Sequence, residues 1–203
     1  RELGDDAALA ESIFGQALVL AVETKSPNVD LRVEDAGDLY RRANLPERLA
    51  EVRHAHAQWL REQEMDRQAL DRIRQAMEAA AEAGNGAIEC RARGLYATML
   101  ADTYQFEAAA RELEAAGAQA EANGDRDAVM GLSARRAYVM AREGASLEDV
   151  IAQVEAALEQ ARALDDPRMG EQAIAVVIDE IRGRCDDAYR DRLGEWRVTN
   201  LTV

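Results

Sequence analysis

A forty-residue period is the feature that most constrains what this chain can fold into. Small residues recur at that spacing, as Ala17, Ala57, Ala97, Ala137 and Val177. Three residues later the chain carries Leu20, Leu60, Leu100, Met140 and Glu180. A fixed period of this length is typical of repeat arrays, whose units bury their apolar faces against their neighbours.

A second set of apolar residues recurs with the same period and predicts a second helix in each unit. Each triad has spacings of four and three residues, which places its members on one face of a helix. The triads are Val29, Val33 and Ala36; Ala69, Ile73 and Ala76; Ala109, Leu113 and Ala116; Val150, Val154 and Ala157; and a more divergent Tyr189, Leu193 and Trp196. The fourth triad is displaced by one residue, which we assign to the turn at 144–146.

Helix-breaking residues separate the units. Asn, Gly, Asp and Pro cluster at 44–46, 84–86, 124–125 and 165–167. Glycine and asparagine tolerate the left-handed conformation that follows a helix, and proline cannot continue one. The sequence therefore predicts an all-α fold of about ten helices. We expect five helical hairpins in one domain, at about 6–45, 46–85, 86–125, 126–166 and 167–200.

The pattern resembles the tetratricopeptide repeat in a long form of about forty residues. The matching positions of the third unit are Ala97, Leu100, Phe106, Ala109, Leu113 and Ala116. The tryptophan typical of the family is missing from the first helix, and a closing proline is present only at Pro46 and Pro167. The resemblance implies a right-handed α-solenoid with a concave groove that binds a peptide or protein segment.

Composition and charge exclude several classes of protein. No stretch reaches eighteen consecutive apolar residues, so we expect no transmembrane helix. The net charge of −14 disfavours direct binding of nucleic acid or of an anionic membrane surface. Cys90 and Cys185 lack a redox or metal-binding spacing, which favours a reducing, cytoplasmic location. The chain starts in mid-pattern and stops at a strand-like or linker-like VTNLTV, so we interpret it as a piece of a longer polypeptide.

The resemblance also implies which side chains line the groove. Projected onto this sequence, the groove positions are His54, Gln58, Arg61, Arg91, Leu95, Thr98, Arg135, Tyr138 and Arg142. Arginine and aromatic side chains at such positions suit a partner with carboxylates, because guanidinium presents a planar fork of donors. The alternative is a solvated helix face with interleaved charges.

No catalytic or metal-binding constellation emerges from the sequence, and no cofactor is expected. His54 and His56 lie two residues apart, which points them to different sides of a helix. A two-histidine helical metal site needs a spacing of three or four residues, so structural roles are favoured. Carboxylate pairs such as Glu78 and Glu82 carry little information in a chain with 39 acidic residues.

Two helices are unusually apolar, and this leaves two interpretations open. The side chains concerned are Phe14, Leu18 and Val22 near the N-terminus and Ile174, Ile178 and Ile181 in the fifth unit. An exposed apolar face would indicate an interface for a homodimer or an adjoining domain. The alternative is burial within the ends of the array.

The favoured function is a non-catalytic module that binds a protein or peptide in its groove. A second hypothesis is a ligand- or peptide-sensing domain that controls dimerisation of an attached output domain, such as a diguanylate cyclase or a transcription activator. A third, a helical enzyme, requires a closed pocket with convergent titratable groups.

Overall fold

The structure is a computed structural model that describes residues 2–23 and 28–201, with backbone only for 2–5, 22, 23 and 188. These residues form ten α-helices and no strand. The helices are α1 (Glu2–Glu23), α2 (Asn28–Arg42), α3 (Pro46–Glu62), α4 (Asp66–Ala83), α5 (Gly86–Asp102), α6 (Phe106–Asn123), α7 (Arg126–Glu143), α8 (Leu147–Arg162), α9 (Pro167–Arg184) and α10 (Asp187–Asn200). The prediction of an all-α fold is confirmed.

In the part of the chain that the structure describes, left-handed residues end six of the helices at regular intervals. Positive φ angles occur at Asn44, Glu64, Gly84, Tyr104, Gly124 and Gly144, each twenty residues after the one before. The amide of the residue after Gly84 donates to the carbonyl of Ala80, and the amide after Gly124 donates to Ala120 in the same way. These bonds satisfy carbonyls that the helix itself leaves without a donor.

Within residues 2–23 and 28–201, side-chain caps start three helices. The Asn85 and Asp125 side chains accept hydrogen bonds from the amides of Ile88 and Ala128, at 3.1 and 2.9 Å. Ser146 Oγ accepts a hydrogen bond from the amide of Asp149 at 3.1 Å.

The chain divides into two compact units, which are larger than the forty-residue repeats described above. The first unit ends within α5 at Ala92, and the second unit begins at Arg93. From here on, first unit and second unit refer to these two. In the first unit, α1 packs on α2, α2 on α3, and α3 on α4. Its core includes Val29, Val33 and Tyr40, and a second cluster joins Ala50, Ala80 and Ile88.

In the second unit α7 is the central helix, because α6, α8 and α9 all pack against it. The α9 helix also packs on α8 and α10. At the α8–α9 contact, a methyl group added to Gly170 would come within 2.7 Å of the Ala161 Cβ, so glycine permits this close approach.

The predicted second-helix triads form the apolar faces of α2, α4, α6 and α8. All twelve of their side chains are buried, with exposed fractions of 7% or less. In the fifth triad Tyr189 and Leu193 are buried, and Trp196 is half-buried. The prediction for the C-terminal residues is wrong in part, because α10 continues through Val198 to Asn200.

Candidate functional site

The structure places the four predicted groove residues of the first unit in different environments. Gln58 on α3 and Arg91 on α5 are exposed, and His54 is half-buried. Arg61 is only 3% exposed, so its predicted position on the groove surface is corrected to a buried one. These side chains therefore do not all present their polar groups to a partner.

The predicted groove residues of the second unit lie mostly inside the protein. Thr98 is fully buried, and its hydroxyl donates a 2.7 Å hydrogen bond to the carbonyl of Leu95, which is buried too. The Tyr138 ring is also fully buried. The predicted groove positions are thus corrected for Thr98, Leu95 and Tyr138. This face of α5 and α7 is turned inward, so the three side chains belong to the core.

The remaining two arginines of that set are held by neighbouring helices. Arg135 lies against α5, where a Cβ on Gly94 would come within 2.9 Å of its Cδ. Arg142 lies 3.5 Å (Nε to Oδ1) from Asp102, whose side chain is 4% exposed. Both side chains serve helix packing in the structure.

Asp102 is the centre of a polar cluster that joins α5, α7 and α9. The Tyr138 hydroxyl donates a hydrogen bond to its Oδ1, and Arg184 Nη1 lies 3.2 Å from its Oδ2. Arg142 Nη1 donates to the Arg184 carbonyl at 2.8 Å, and its guanidinium lies 5.6 Å from the Tyr104 ring centroid. A buried carboxylate with this many donors is a structural element, because each helix contributes a group that neutralises or solvates it.

A second polar cluster occupies the α2–α3–α4 contact. Glu34 Oε2 accepts a 2.7 Å hydrogen bond from Arg53 Nη1, and Arg72 pairs with Oε1 of the same carboxylate. His56 Nε2 lies 2.7 Å from Asp30 Oδ1, and His56 Nδ1 lies 3.6 Å from Glu34 Oε1. Arg53 and His56 are almost completely buried.

This cluster brings together three groups that could in principle hold a metal ion. Ligand atoms of Asp30, Glu34 and His56 all lie within 4.8 Å of one another. Both Glu34 oxygens already face guanidinium groups, and a cation beside them would meet two positive charges. Burial lowers the pKa of His56, although the adjacent Asp30 carboxylate acts in the opposite direction. We interpret the cluster as a neutralised structural network.

An open cleft in the second unit is lined by residues of α6, α7 and α8, and none of the predicted groove residues is among them. Its volume is about 450 Å³. The α6 and α8 helices form its walls and α7 forms its floor. The lining residues are Ala110, Leu113, Glu114, Gly117, Ala118 and Glu121 of α6, Val129, Leu132, Ser133, Arg136, Val139, Met140 and Glu143 of α7, and Gln153 and Gln160 of α8.

The cleft combines an apolar floor with an acidic rim. Val129 and Met140 are half-buried and contribute apolar surface, whereas Leu132 and Val139 are only 6% and 4% exposed. Glu114, Glu121 and Glu143 are exposed at the edges. A cavity of about 290 Å³ shares Glu121, Val129 and Gln160 with the cleft and so extends it. Convergent apolar surface with a few polar groups is the usual character of a ligand-binding site.

Sequence reasoning missed this cleft because it placed the site on a different face of α7. The groove prediction named Arg135, whereas the next residue, Arg136, is the one that lines the cleft. One residue corresponds to a rotation of about 100° around a helix. The available signal was the run of small residues on the open face of α6, Ala110, Gly117 and Ala118, which leaves space beside the backbone.

The two candidate interfaces, on α1 and on α9, differ in the structure, because the α9 face is core and the α1 face is partly exposed. Ile174, Ile178 and Ile181 are at most 1% exposed, so they form core and not surface. Phe14 is partly buried against the core of the first unit, whereas Leu18 is 47% exposed. The Val22 side chain lies outside the described residues. Burial therefore explains the apolar character of α9, and Leu18 stays a candidate for self-association.

The fold defines this chain as an all-α protein. No family model matches the sequence. No curated protein matches it either. The fold is similar to that in the crystal structure of BtubC (BKLC) from P. vanneervenii, with a TM-score of 0.53 over 98% of this chain and 92% of that one. The two sequences are 15% identical, so this likeness concerns the fold alone.

Proposed function

We propose that this chain is a non-catalytic module that binds a segment of a partner protein. The observation that carries the proposal is the cleft between α6 and α8, in which an apolar floor lies beside exposed charged groups. Its volume of about 450 Å³ lies in the range of sites that bind ligands. The proposal therefore moves the binding site from the groove predicted on the first helices of the repeats to the cleft lined by α6, α7 and α8.

The polar groups of the cleft support binding and not chemistry. Ser133, the hydroxyl-bearing residue of the lining, accepts a 2.9 Å hydrogen bond from the Gln153 amide nitrogen. An amide cannot act as the base that would activate this hydroxyl. The carboxylates are distributed along the rim, where each can pair with a different group of a bound segment.

The proposal includes the wider setting of the chain. We infer a tetratricopeptide-like array from the forty-residue period, and the helical hairpins are consistent with it. No described helix combines the length and the apolar character needed to cross a membrane. Cys90 is buried and Cys185 is half-buried, and the cytoplasmic location expected from their spacing in the sequence is part of the proposal.

Selection of peptides from a random display library tests the proposed function. Peptides enriched on the wild-type chain are measured again on Gly117→Leu and Gly131→Leu. A Cβ at either glycine has no heavy atom within 4 Å, so a side chain at either position starts in open space, but only Gly117 lines the cleft. We expect the first variant alone to weaken binding, by about tenfold or more, because leucine fills the site. Enriched peptides that bind both variants equally would refute the proposal.

A further inference from the structure

We propose that the occupant of the cleft is a basic amphipathic helix of the partner protein. This inference rests on the proposed function and specifies its ligand. Three properties of the lining support it: its charge, its length and the size of the α6 side chains.

The charge of the lining favours a basic partner. The lining of the cleft carries three carboxylates, those of Glu114, Glu121 and Glu143, and one guanidinium, that of Arg136, which gives a net charge of −2. The adjoining cavity adds Arg126, whose guanidinium donates to the Ala163 carbonyl, and the acidic charge still predominates. Within the described part of the chain, none of the four groups in the cleft lining forms an ion pair with another residue. They are therefore available to a ligand, and lysine or arginine side chains would pair with the carboxylates.

The length of the lining matches a short helix. On α6 the lining runs from Ala110 to Glu121, and on α7 from Val129 to Glu143. At a rise of about 1.5 Å per residue these stretches extend over about 16 and 21 Å. A partner helix of three to four turns has the same length, and its apolar face would cover the half-buried Val129 and Met140.

Small residues on α6 allow that helix to approach closely. Ala110, Gly117 and Ala118 face the cleft, and the space at Gly117 is open. Small side chains let two helix backbones come near each other, so the apolar side chains of a partner can reach the α7 floor. The acidic groups then lie at the edges of the contact, where they pair with basic groups that stay near solvent.

Three labelled peptides of about 18 residues test the inference by fluorescence anisotropy. The first has leucine on one helical face and lysine on the other. The second replaces every lysine with glutamate, and the third has the first composition with a central proline that blocks the helix. We expect the lysine peptide to bind at least about tenfold more tightly than either of the others.

Charge reversal provides a matched pair of variants. Glu114→Lys combined with Glu121→Lys should weaken binding of the lysine peptide by about tenfold or more. Glu78→Lys combined with Glu82→Lys, on the exposed face of α4, makes the same change in net charge away from the cleft. This control should bind within about twofold of the wild type at 0.15 M salt, because bulk charge is largely screened there.

The outcomes separate this inference from the proposed function. Equal binding of the lysine and glutamate peptides, or equal weakening by both charge-reversed variants, would overturn the basic partner. Tighter binding of the glutamate peptide that Gly117→Leu abolishes would overturn it too, while leaving the cleft as the binding site. Binding of every peptide unchanged by Gly117→Leu would overturn both proposals.

Discussion

Gly37 shows how a single residue shapes the buried cluster of the first unit. A Cβ at this position would lie 2.9 Å from Arg53 Nη2, and Arg53 is 2% exposed. The guanidinium also pairs with Glu34 and has little freedom to move. Glycine at position 37 therefore provides the surface on which the arginine lies.

Replacement of Gly37 by alanine should lower the free energy of unfolding by about 1–3 kcal/mol, because the new methyl group displaces a buried, paired guanidinium. Gly15→Ala is the control, since a Cβ there meets nothing within 4 Å. Alanine at position 15 should stabilise α1 by up to about 1 kcal/mol through helix propensity. Urea unfolding followed by circular dichroism measures both, and equal effects would contradict this assignment of Gly37.

The lowered pKa of buried His56 should make the stability of the chain depend on pH. Burial lowers its pKa in the folded chain, whereas an unfolded histidine titrates near 6.5. As the pH falls through about 6.5, the unfolded chain binds a proton that the folded chain does not, so stability decreases. The slope is at most about 1.4 kcal/mol per pH unit, and the effect vanishes well above pH 6.5, where both states are neutral.

The measurement compares the thermal midpoints of the wild type and His56→Gln at pH 5.5 and 7.5. We expect the wild type to lose more stability between these values than the variant loses. His54 is present in both proteins and cancels from the comparison. An equal or larger loss in the variant would show that His56 is not the group responsible.

At the scale of the helices, Asp102 holds three elements together. Removal of its carboxylate leaves Arg142 and Arg184 without the charge that they share. Asp102→Ala should therefore destabilise the second unit by about 3 kcal/mol, as is typical when one partner of a buried pair is removed. Asp187→Ala, which removes an exposed partner of Arg190, should leave the thermal midpoint near that of the wild type. Similar midpoints for the two variants would argue against a structural role for Asp102.

Replacing two glycines by alanine, one within α6 and one at its C-cap, should change stability in opposite directions. Gly124 has a φ of 68°, where a side chain costs about 1–2 kcal/mol, so Gly124→Ala should destabilise the chain. Gly117 lies within α6 and has open space around it, so Gly117→Ala should stabilise by up to about 1 kcal/mol. Thermal unfolding of both variants checks the signs, and a stabilising Gly124→Ala would contradict the left-handed cap.

At the scale of the whole molecule, periodicity predicted the helices better than the site. The triads predicted buried faces because spacing on a helix determines which residues point inward, and the boundaries followed from Gly, Asn and Pro. The polar clusters were not predictable in this way. Glu34, Arg53 and Arg72 belong to three helices, and their proximity depends on packing that no local pattern encodes.

The groove prediction depended on which face of each first helix points outward. The structure turns Thr98 and Tyr138 inward and leaves the open surface to Arg136 and to the small residues of α6. An error of one helical position is enough to exchange a core side chain for a surface one. The site therefore required coordinates, whereas the fold class did not.

The most direct test of the account is a backbone amide shift map of the isotope-labelled chain titrated with the basic amphipathic peptide. We predict the largest shifts at residues that line the cleft, such as Gly117, Ser133 and Gln153. The exposed positions of the sequence-predicted groove, Gln58 and Arg91, should change little. Large shifts at Gln58 and Arg91 with none at Gly117 would contradict the account and restore the first-helix groove as the binding site.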